Sequence, residues 1–185
     1  MGRPRKVDLD VLLQKAMGVF WRNGYATTTI ADLERELGIG RKSLYNAFGD
    51  KRGLFIATLD RYLQAPIPVT LPDAGLAEIE QTFMRAPFLH PGFRACLMAN
   101  TIVELGGSDA DIASRTAAHV ARLNAGFEGA LRRATEAGDV VVTDPADTAR
   151  FLTSSMQGLA VMARTGASQE DLLGVAAHTL RAIGR

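Results

Sequence analysis

TTTIADLERELGIGRKSLYNAFGDKRGL, residues 27–54, is the stretch on which the reading of this chain turns. Thr29 can cap the amide three residues on, and Asp32 sits where a carboxylate completes a capping box, so a helix is predicted to open there. Ile30, Leu33 and Leu37 recur at helical spacing, and Gly38 supplies the left-handed residue that closes the helix. Ile39 plugs the corner. Gly40 is a permissive cap for a second helix, in which Leu44 and Phe48, four residues apart, point inward. Lys42, Tyr45 and Asn46 share the opposite face, with Arg41 and Ser43 at the exposed amino end, where free amides and the helix dipole favour an anion. Gly49 and Asp50 break the chain before Lys51 opens a further helix within reach of a phosphate. Two short helices around a glycine corner, core residues inward and basic residues outward, are the minimal device for placing side chains in a DNA major groove. The bland alternative is a helical hairpin with a solvated basic face.

The segment GIGRKSLYNAFGDK, with the aromatic pair Tyr45 and Phe48 and the lysine at Lys51, resembles the DNA-binding segment of the tetracycline-repressor (TetR/AcrR) family of one-component regulators. The resemblance is close over about the first third of the chain and extends to the rest in length and helical layout. It implies an all-α fold of about nine helices: an amino-terminal three-helix helix-turn-helix domain, then a larger helical ligand-binding and dimerisation domain. It also implies groove and phosphate contacts from Arg41, Lys42, Ser43, Tyr45 and Asn46, with Gly40 at the corner and Thr29 and Lys51 on phosphates. Two residues depart from the pattern. Gly40 stands where the family commonly has serine, which removes a hydroxyl cap, and Glu34 stands where a small residue is common.

Outward from this stretch, the chain begins MGRPRK, a short basic arm stiffened by Pro4. Arg3, Arg5 and Lys6 can enter a minor groove, as the arms of other helix-turn-helix proteins do, or attract phosphates without sequence preference. A first helix is expected over residues 8–23, with Leu9, Leu12, Leu13, Ala16, Val19 and Phe20 inward and Gly24 as its stop. A fourth is expected from Lys51 to about Gln64, with Leu54, Phe55, Thr58, Leu59 and Tyr62 packing on the head and on the helices after it. APIPVTLP, residues 65–72, holds three prolines and cannot continue a helix. The domain boundary is placed there, giving residues 1–64 to DNA binding and 65–185 to effector binding and dimerisation.

Charge divides at the same place. Through Leu63, eleven Lys and Arg face seven Asp and Glu, whereas the remainder has ten against thirteen, although the whole chain carries only +1. A nucleic-acid footprint is therefore confined to the amino-terminal part. One cysteine in 185 residues excludes an internal disulfide framework and suits a reducing cytoplasm. No run reaches the roughly 18 apolar residues of a membrane span, and residues 1–6 lack the apolar core of a signal peptide. A cytoplasmic protein without membrane partners is expected.

Beyond the boundary, helices are expected over residues 73–86, 93–105, 108–137, 145–165 and from Ser168 to the end. The last two each carry two apolar faces, more than one chain can cover. Leu172, Val175, Ala176, Leu180 and Ile183 form one stripe of the final helix, and Leu173, Gly174 and Ala177 the other. A symmetric homodimer is expected, with these helices meeting their copies in a four-helix bundle through Phe151, Ser155, Gly158, Met162, Leu173 and Ala177. The competing reading places these residues in an intramolecular core. In the resembled family such a dimer sets two reading heads about one DNA turn apart on a palindrome.

Candidate effector-cavity residues are Phe83, Met84, Phe88, Met98, Phe127 and Met156, apolar groups of the middle helices, with Asn100 the one amide in an otherwise apolar helix. Each is also explained as plain core. With so few charges there, an apolar or weakly polar small molecule is the expected effector. Cys96, near a helix start and Arg94, is read either as a redox-sensitive thiol or as a small buried hydrophobe. Enzyme readings find little support. The three histidines are scattered, no carboxylate or cysteine cluster completes a metal site, and there is no glycine-rich phosphate loop, so no cofactor is expected. The sequence therefore reads as a ligand-responsive transcriptional regulator, a repressor by resemblance. The alternative is a helical carrier or adaptor with only non-specific DNA affinity.

Overall fold

The computed structural model describes residues 9–86 and 96–183, and in these it is all helical. The order is α1 (Leu9–Asn23), α2 (Ile30–Leu37), α3 (Arg41–Phe48), α4 (Lys51–Leu63), a 3-10 turn (Pro68–Thr70), α5 (Leu76–Met84), α6 (Leu97–Leu105), α7 (Ala110–Glu136), α8 (Pro145–Arg164) and α9 (Gln169–Arg181). Arg3, Arg5, Lys6, Phe88 and Arg94, singled out above, lie outside the described residues. Among the described residues no helix is long and apolar enough to cross a membrane.

The expected caps form. Thr29 Oγ1 accepts the Asp32 N–H at 3.1 Å and the Asp32 carboxylate accepts the Thr29 N–H at 3.1 Å, so the capping box is complete. Gly38 closes α2 at φ 68°, a conformation that side-chain-bearing residues resist. Asp50 caps α4 by accepting the Gly53 N–H at 2.7 Å. A Cβ at Gly53 would lie 2.0 Å from the Phe48 carbonyl oxygen, so only glycine permits so tight a junction between α3 and α4. Asp144 with Pro145, and Ser168, open α8 and α9 as their sequences predict. Helix α5 is shorter than expected, opening at Leu76 where the Glu78 carboxylate accepts the Gly75 N–H at 2.8 Å and ending at Met84.

Two hydrophobic clusters hold these elements. Phe20, Leu33, Leu37, Leu44, Leu54, Phe55 and Leu59 centre the first, where the Phe20 and Phe55 rings meet edge to face at 4.9 Å. This cluster does not stop at the proline stretch, since Leu97 and Met98 of α6 and Ile112 of α7 belong to it. The second is built on Ile79, Phe83, Phe127, Leu131, Leu152 and Leu159, with α7 and α8 packed together along much of their length. Phe83 and Phe127 meet ring to ring at 5.9 Å.

Polar ties surround the seam between the amino-terminal helices and the rest. Arg52 on α4 donates to Asp109 at 2.7 and 2.9 Å and to Asp111 at 2.7 Å, and Arg115 on α7 donates to Asp60 at 2.8 Å. Glu104, near the end of α6, accepts the backbone N–H groups of Tyr25 at 2.9 Å and Ala26 at 2.6 Å.

Candidate nucleic-acid interface and effector cavity

Helix α3 is anchored by one residue. Leu44 is fully buried, Phe48 is half-buried, and Arg41, Lys42, Ser43, Tyr45 and Asn46 are all exposed on the outer side. The Arg41 guanidinium lies 5.9 Å from the Tyr45 ring centroid, a cation–π placement that holds both side chains along the helix. The two departures noted in the sequence turn out to be linked. Gly40 gives α3 no side-chain cap, and the Glu34 carboxylate reaches across the corner to accept the Arg41 N–H instead. The amino end of α3 is thus capped from α2, by a negative charge at a place suited to a phosphate.

Two expected phosphate contacts have other partners. The single O–H of Thr29 donates to Asp32 Oδ2 at 2.6 Å, so in this arrangement it is spent on the capping box. The hydrogen bonds from Thr29 and its backbone, then Arg35, hold the Asp32 carboxyl below its usual range. The Lys51 ammonium donates to the carbonyl oxygens of Tyr25 at 3.0 Å and Thr28 at 2.9 Å and sits 4.4 Å from the Tyr25 ring centroid. Lys51 therefore braces the loop between α1 and α2, with one N–H of its three left over.

In the body a cavity of about 480 Å³ opens between the end of α4, residues 65–71, α5, the start of α6, α7 and α8. Of the residues expected to line it, Met98 and Met156 do. Phe83 and Phe127 do not: both are fully buried in the second cluster, where their rings pack against each other. Met84 ends α5 and faces solvent, because it comes one residue after the buried Phe83 and so points to a different side of the helix. Asn100 is half-buried with its amide nitrogen unpaired and lies outside the lining. Cys96 precedes α6 at the cavity wall, half-buried, with its Sγ 3.1 Å from the Tyr62 hydroxyl. Burial, with Cys96 beside it, pushes the Tyr62 phenol well above its usual range.

Sequence reasoning missed His119 and Thr153. His119 is buried against the cavity, its Nδ1 3.3 Å from the Arg122 guanidinium. Burial first, then the Arg122 charge, lowers its pKa to about 4 against an opposing contribution from the Leu63 carbonyl, so the ring is neutral. Both fall at helical spacing within buried stripes, His119 between Thr116 and Leu123 and Thr153 between Ala149 and Met156, but as polar residues they matched no motif.

On the carboxyl-terminal helices, Phe151 and Val161 are 46% and 50% exposed, Gly158 lies open between them, and Ser155 and Met162 are half-buried on the same side. Along α9 and the turn after it the stripe of Leu172, Ala176 and Ile183 is buried, with single residues departing from the expected sides. Val175, of that same stripe, is 38% exposed, while Leu173 packs against the second cluster and Ala177 lines a small cavity with α5. A helix with two apolar stripes leaves its rotation undecided in sequence, and here packing against α5 and α8 decides it.

The profile of bacterial regulatory proteins of the tetR family matches residues 12–58, and that of the tetracyclin repressor-like C-terminal domain matches residues 76–179. The chain belongs to the TetR family. It is 32% identical over 190 residues to the HTH-type transcriptional repressor ComR of Escherichia coli K12, covering 97% of this chain and 90% of that one. It is equally similar to a cysteine mutant of the TetR-family regulator CifR complexed with 26-base-pair double-strand operator DNA. There the identity is 32%, the TM-score 0.80, and the alignment covers 98% of this chain and 100% of that one. A TetR-family regulator from Agrobacterium tumefaciens, 20% identical, shares the fold at a TM-score of 0.83 over 95% of this chain and 97% of its own. TetR-family members are DNA-binding transcriptional regulators, and this chain has both halves of the family's architecture in order.

Proposed function

We propose that this TetR-family regulator is a homodimeric repressor that leaves a palindromic operator when a small apolar or weakly polar molecule enters the cavity of residues 65–185. The observation that carries it is the outer face of α3, where Arg41, Lys42, Ser43, Tyr45 and Asn46 stand exposed on a helix anchored by Leu44. Arg41 and Lys42 supply charge for phosphates and Asn46 an amide for a base edge, with Ser43 and Tyr45 as hydroxyl donors. Lys51 contributes its remaining N–H, and Arg3, Arg5 and Lys6 add charge from the arm. Residues 1–64 act as the reading head. Pairing uses the exposed stripe of Phe151, Gly158 and Val161 on α8 with Val175 on α9.

Helix α6 connects effector to operator. Its first turn, with Met98 and Ala99, borders the cavity, and Glu104 near its far end holds the backbone of the head at Tyr25 and Ala26. An occupant that shifts α6 changes the placement of the head, biasing one of two arrangements. Cys96 serves as cavity wall rather than as a redox switch, so Cys96→Ser leaves the response to electrophiles unchanged.

The test is retardation of DNA from the protein's own promoter. Sequence-specific retardation lost on Arg41→Ala with Lys42→Ala is expected. Binding that is non-specific and abolished by modest salt would instead favour a ligand carrier or adaptor.

A further inference from the structure

Seven threonines in the described residues are buried, and six of them return their hydroxyl to the carbonyl four residues back. Thr153 does not. It is 2% exposed, sits mid-α8 where the Ala149 carbonyl is available, and its Oγ1 has no hydrogen-bond partner. An unpaired buried hydroxyl is costly and calls for an explanation. Thr153 also lines the cavity, which offers one.

His119 lines the same cavity from α7. Its ring already has partners, with Nδ1 beside the Arg122 guanidinium, which only donates, and a hydrogen bond to the Leu63 carbonyl. Of the cavity's polar lining groups among the described residues, which include the Gln81 and Gln157 amides, the Thr153 hydroxyl is the one buried without a partner. Its charged lining groups are engaged or peripheral: Glu78 accepts the Gly75 N–H at 2.8 Å, and Arg85 is exposed at the margin. The Tyr62 hydroxyl and Cys96 Sγ already face each other. An anion entering here would lose its hydration without a buried cation to replace it, and an ammonium would find only the Gln81 and Gln157 amides and a Glu78 carboxylate already bonded to Gly75.

We infer that the effector is an uncharged, mainly apolar molecule with a carbonyl oxygen, a ketone, aldehyde or ester, that accepts from the Thr153 hydroxyl. This inference rests on the reading of the cavity as the effector site. The apolar wall supplies most of the contact area and the hydroxyl fixes orientation, the usual division of labour in a small-molecule site.

The experiment titrates the full-length dimer with three probes of equal chain length: 2-octanone, octanoate and octylammonium. Trp21 reports binding by its fluorescence, since its ring packs edge-on at 5.4 Å against Tyr62, which lines the cavity. The ketone should bind at least tenfold tighter than either ion, and Thr153→Val should weaken it about three- to tenfold while melting at or above the wild-type temperature. Ionic probes that bind as well as the ketone, a Thr153→Val variant that binds it equally, or no binding of any probe would overturn the inference. Ala160→Phe and Gln157→Trp, each adding bulk to a lining position, separate this from the underlying reading. If both abolish binding of whichever probe binds, the cavity remains the site and only its chemistry is reassigned. If binding survives both, the cavity reading itself fails.

Discussion

On α3 the side chains assigned to function stand outside the core that Leu44 enters, whereas on α8 Thr153, Met156 and Ala160 border a space that surrounding helices enclose. The head presents its chemistry as a convex surface: one anchor, a short helix and polar groups in solvent. The body presents its chemistry as a gap in packing. A surface of the first kind is fixed by residue spacing along one element, while a gap depends on what several elements jointly leave unfilled. The two are joined by α6, one end beside the gap and the other hydrogen-bonded to the head.

The contrast is broken most severely by substitutions at the anchors. Phe127→Ala should cost about 3–5 kcal/mol and lower the thermal midpoint strongly, because the residue fills the core rather than the cavity. Met156→Ala, at the cavity wall, should cost less than about 2 kcal/mol and change probe affinity instead. Equal losses of stability would erase the distinction drawn between them. Leu44→Ala, at about 2–5 kcal/mol, should abolish DNA retardation while 2-octanone still binds, since it removes the anchor of α3 and leaves the second cluster intact.

The joint between the regions gives a subtler test. Glu104→Ala removes the acceptor for the Tyr25 and Ala26 N–H groups. Operator binding should persist, within about tenfold, while its dependence on cavity ligand collapses, because coupling is carried by the two-state element both sites bias. A ligand response of wild-type size in this variant would remove α6 from the pathway.

Much of the head was legible in residue order alone. The Thr29–Asp32 capping box, the Gly38 corner and the inward Leu44 are dictated by residue type and spacing, and all form. What escaped notice there was the pairing of Gly40 with Glu34, since a bond across the corner has no periodic signature. In the body the helices were legible, and with them the outward side of α8, whereas on α9 single residues fell on unexpected sides. Val175 and Leu173 sit on adjacent stripes of similar hydropathy, and only packing against α5 and α8 turns one outward. Phe83 and Phe127 looked like pocket residues because size and apolarity suit cavity walls and core alike. Thr153 looked ordinary because a helical threonine normally satisfies itself, and only its missing bond marks it.

Acid titration should separate the two regions further. With a pKa of about 4 in the fold against 6.5, His119 stays neutral while the unfolded chain takes up a proton. Stability should therefore fall as pH drops from about 6.5 to 4 and level off below that, a slope that His119→Asn should remove in calorimetric scans. The Arg52 hydrogen bond holds Asp109 at about 2, so the tie between α4 and α7 contributes above the ordinary aspartate range and is lost only as pH falls toward 2. Destabilisation between pH 6.5 and 4 thus belongs to the body. If His119→Asn retains the full slope, another group is responsible.

The smallest expected effect is at the corner. Glu34→Gln keeps an acceptor for the Arg41 N–H and removes the negative charge beside it. DNA affinity should rise a few-fold at low salt, measured by fluorescence anisotropy, through relief of repulsion with phosphate. Weaker binding would mean that the carboxylate itself contacts DNA, as an acceptor from a base edge.

Selection of bound duplexes from a random library by the full-length protein addresses the central claim directly. The account predicts an enriched palindrome with half-sites about 10–10.5 base pairs apart or a multiple of it, absent when Arg41 and Lys42 are both alanine. Recovery of no motif, with retention governed by salt alone, would contradict it.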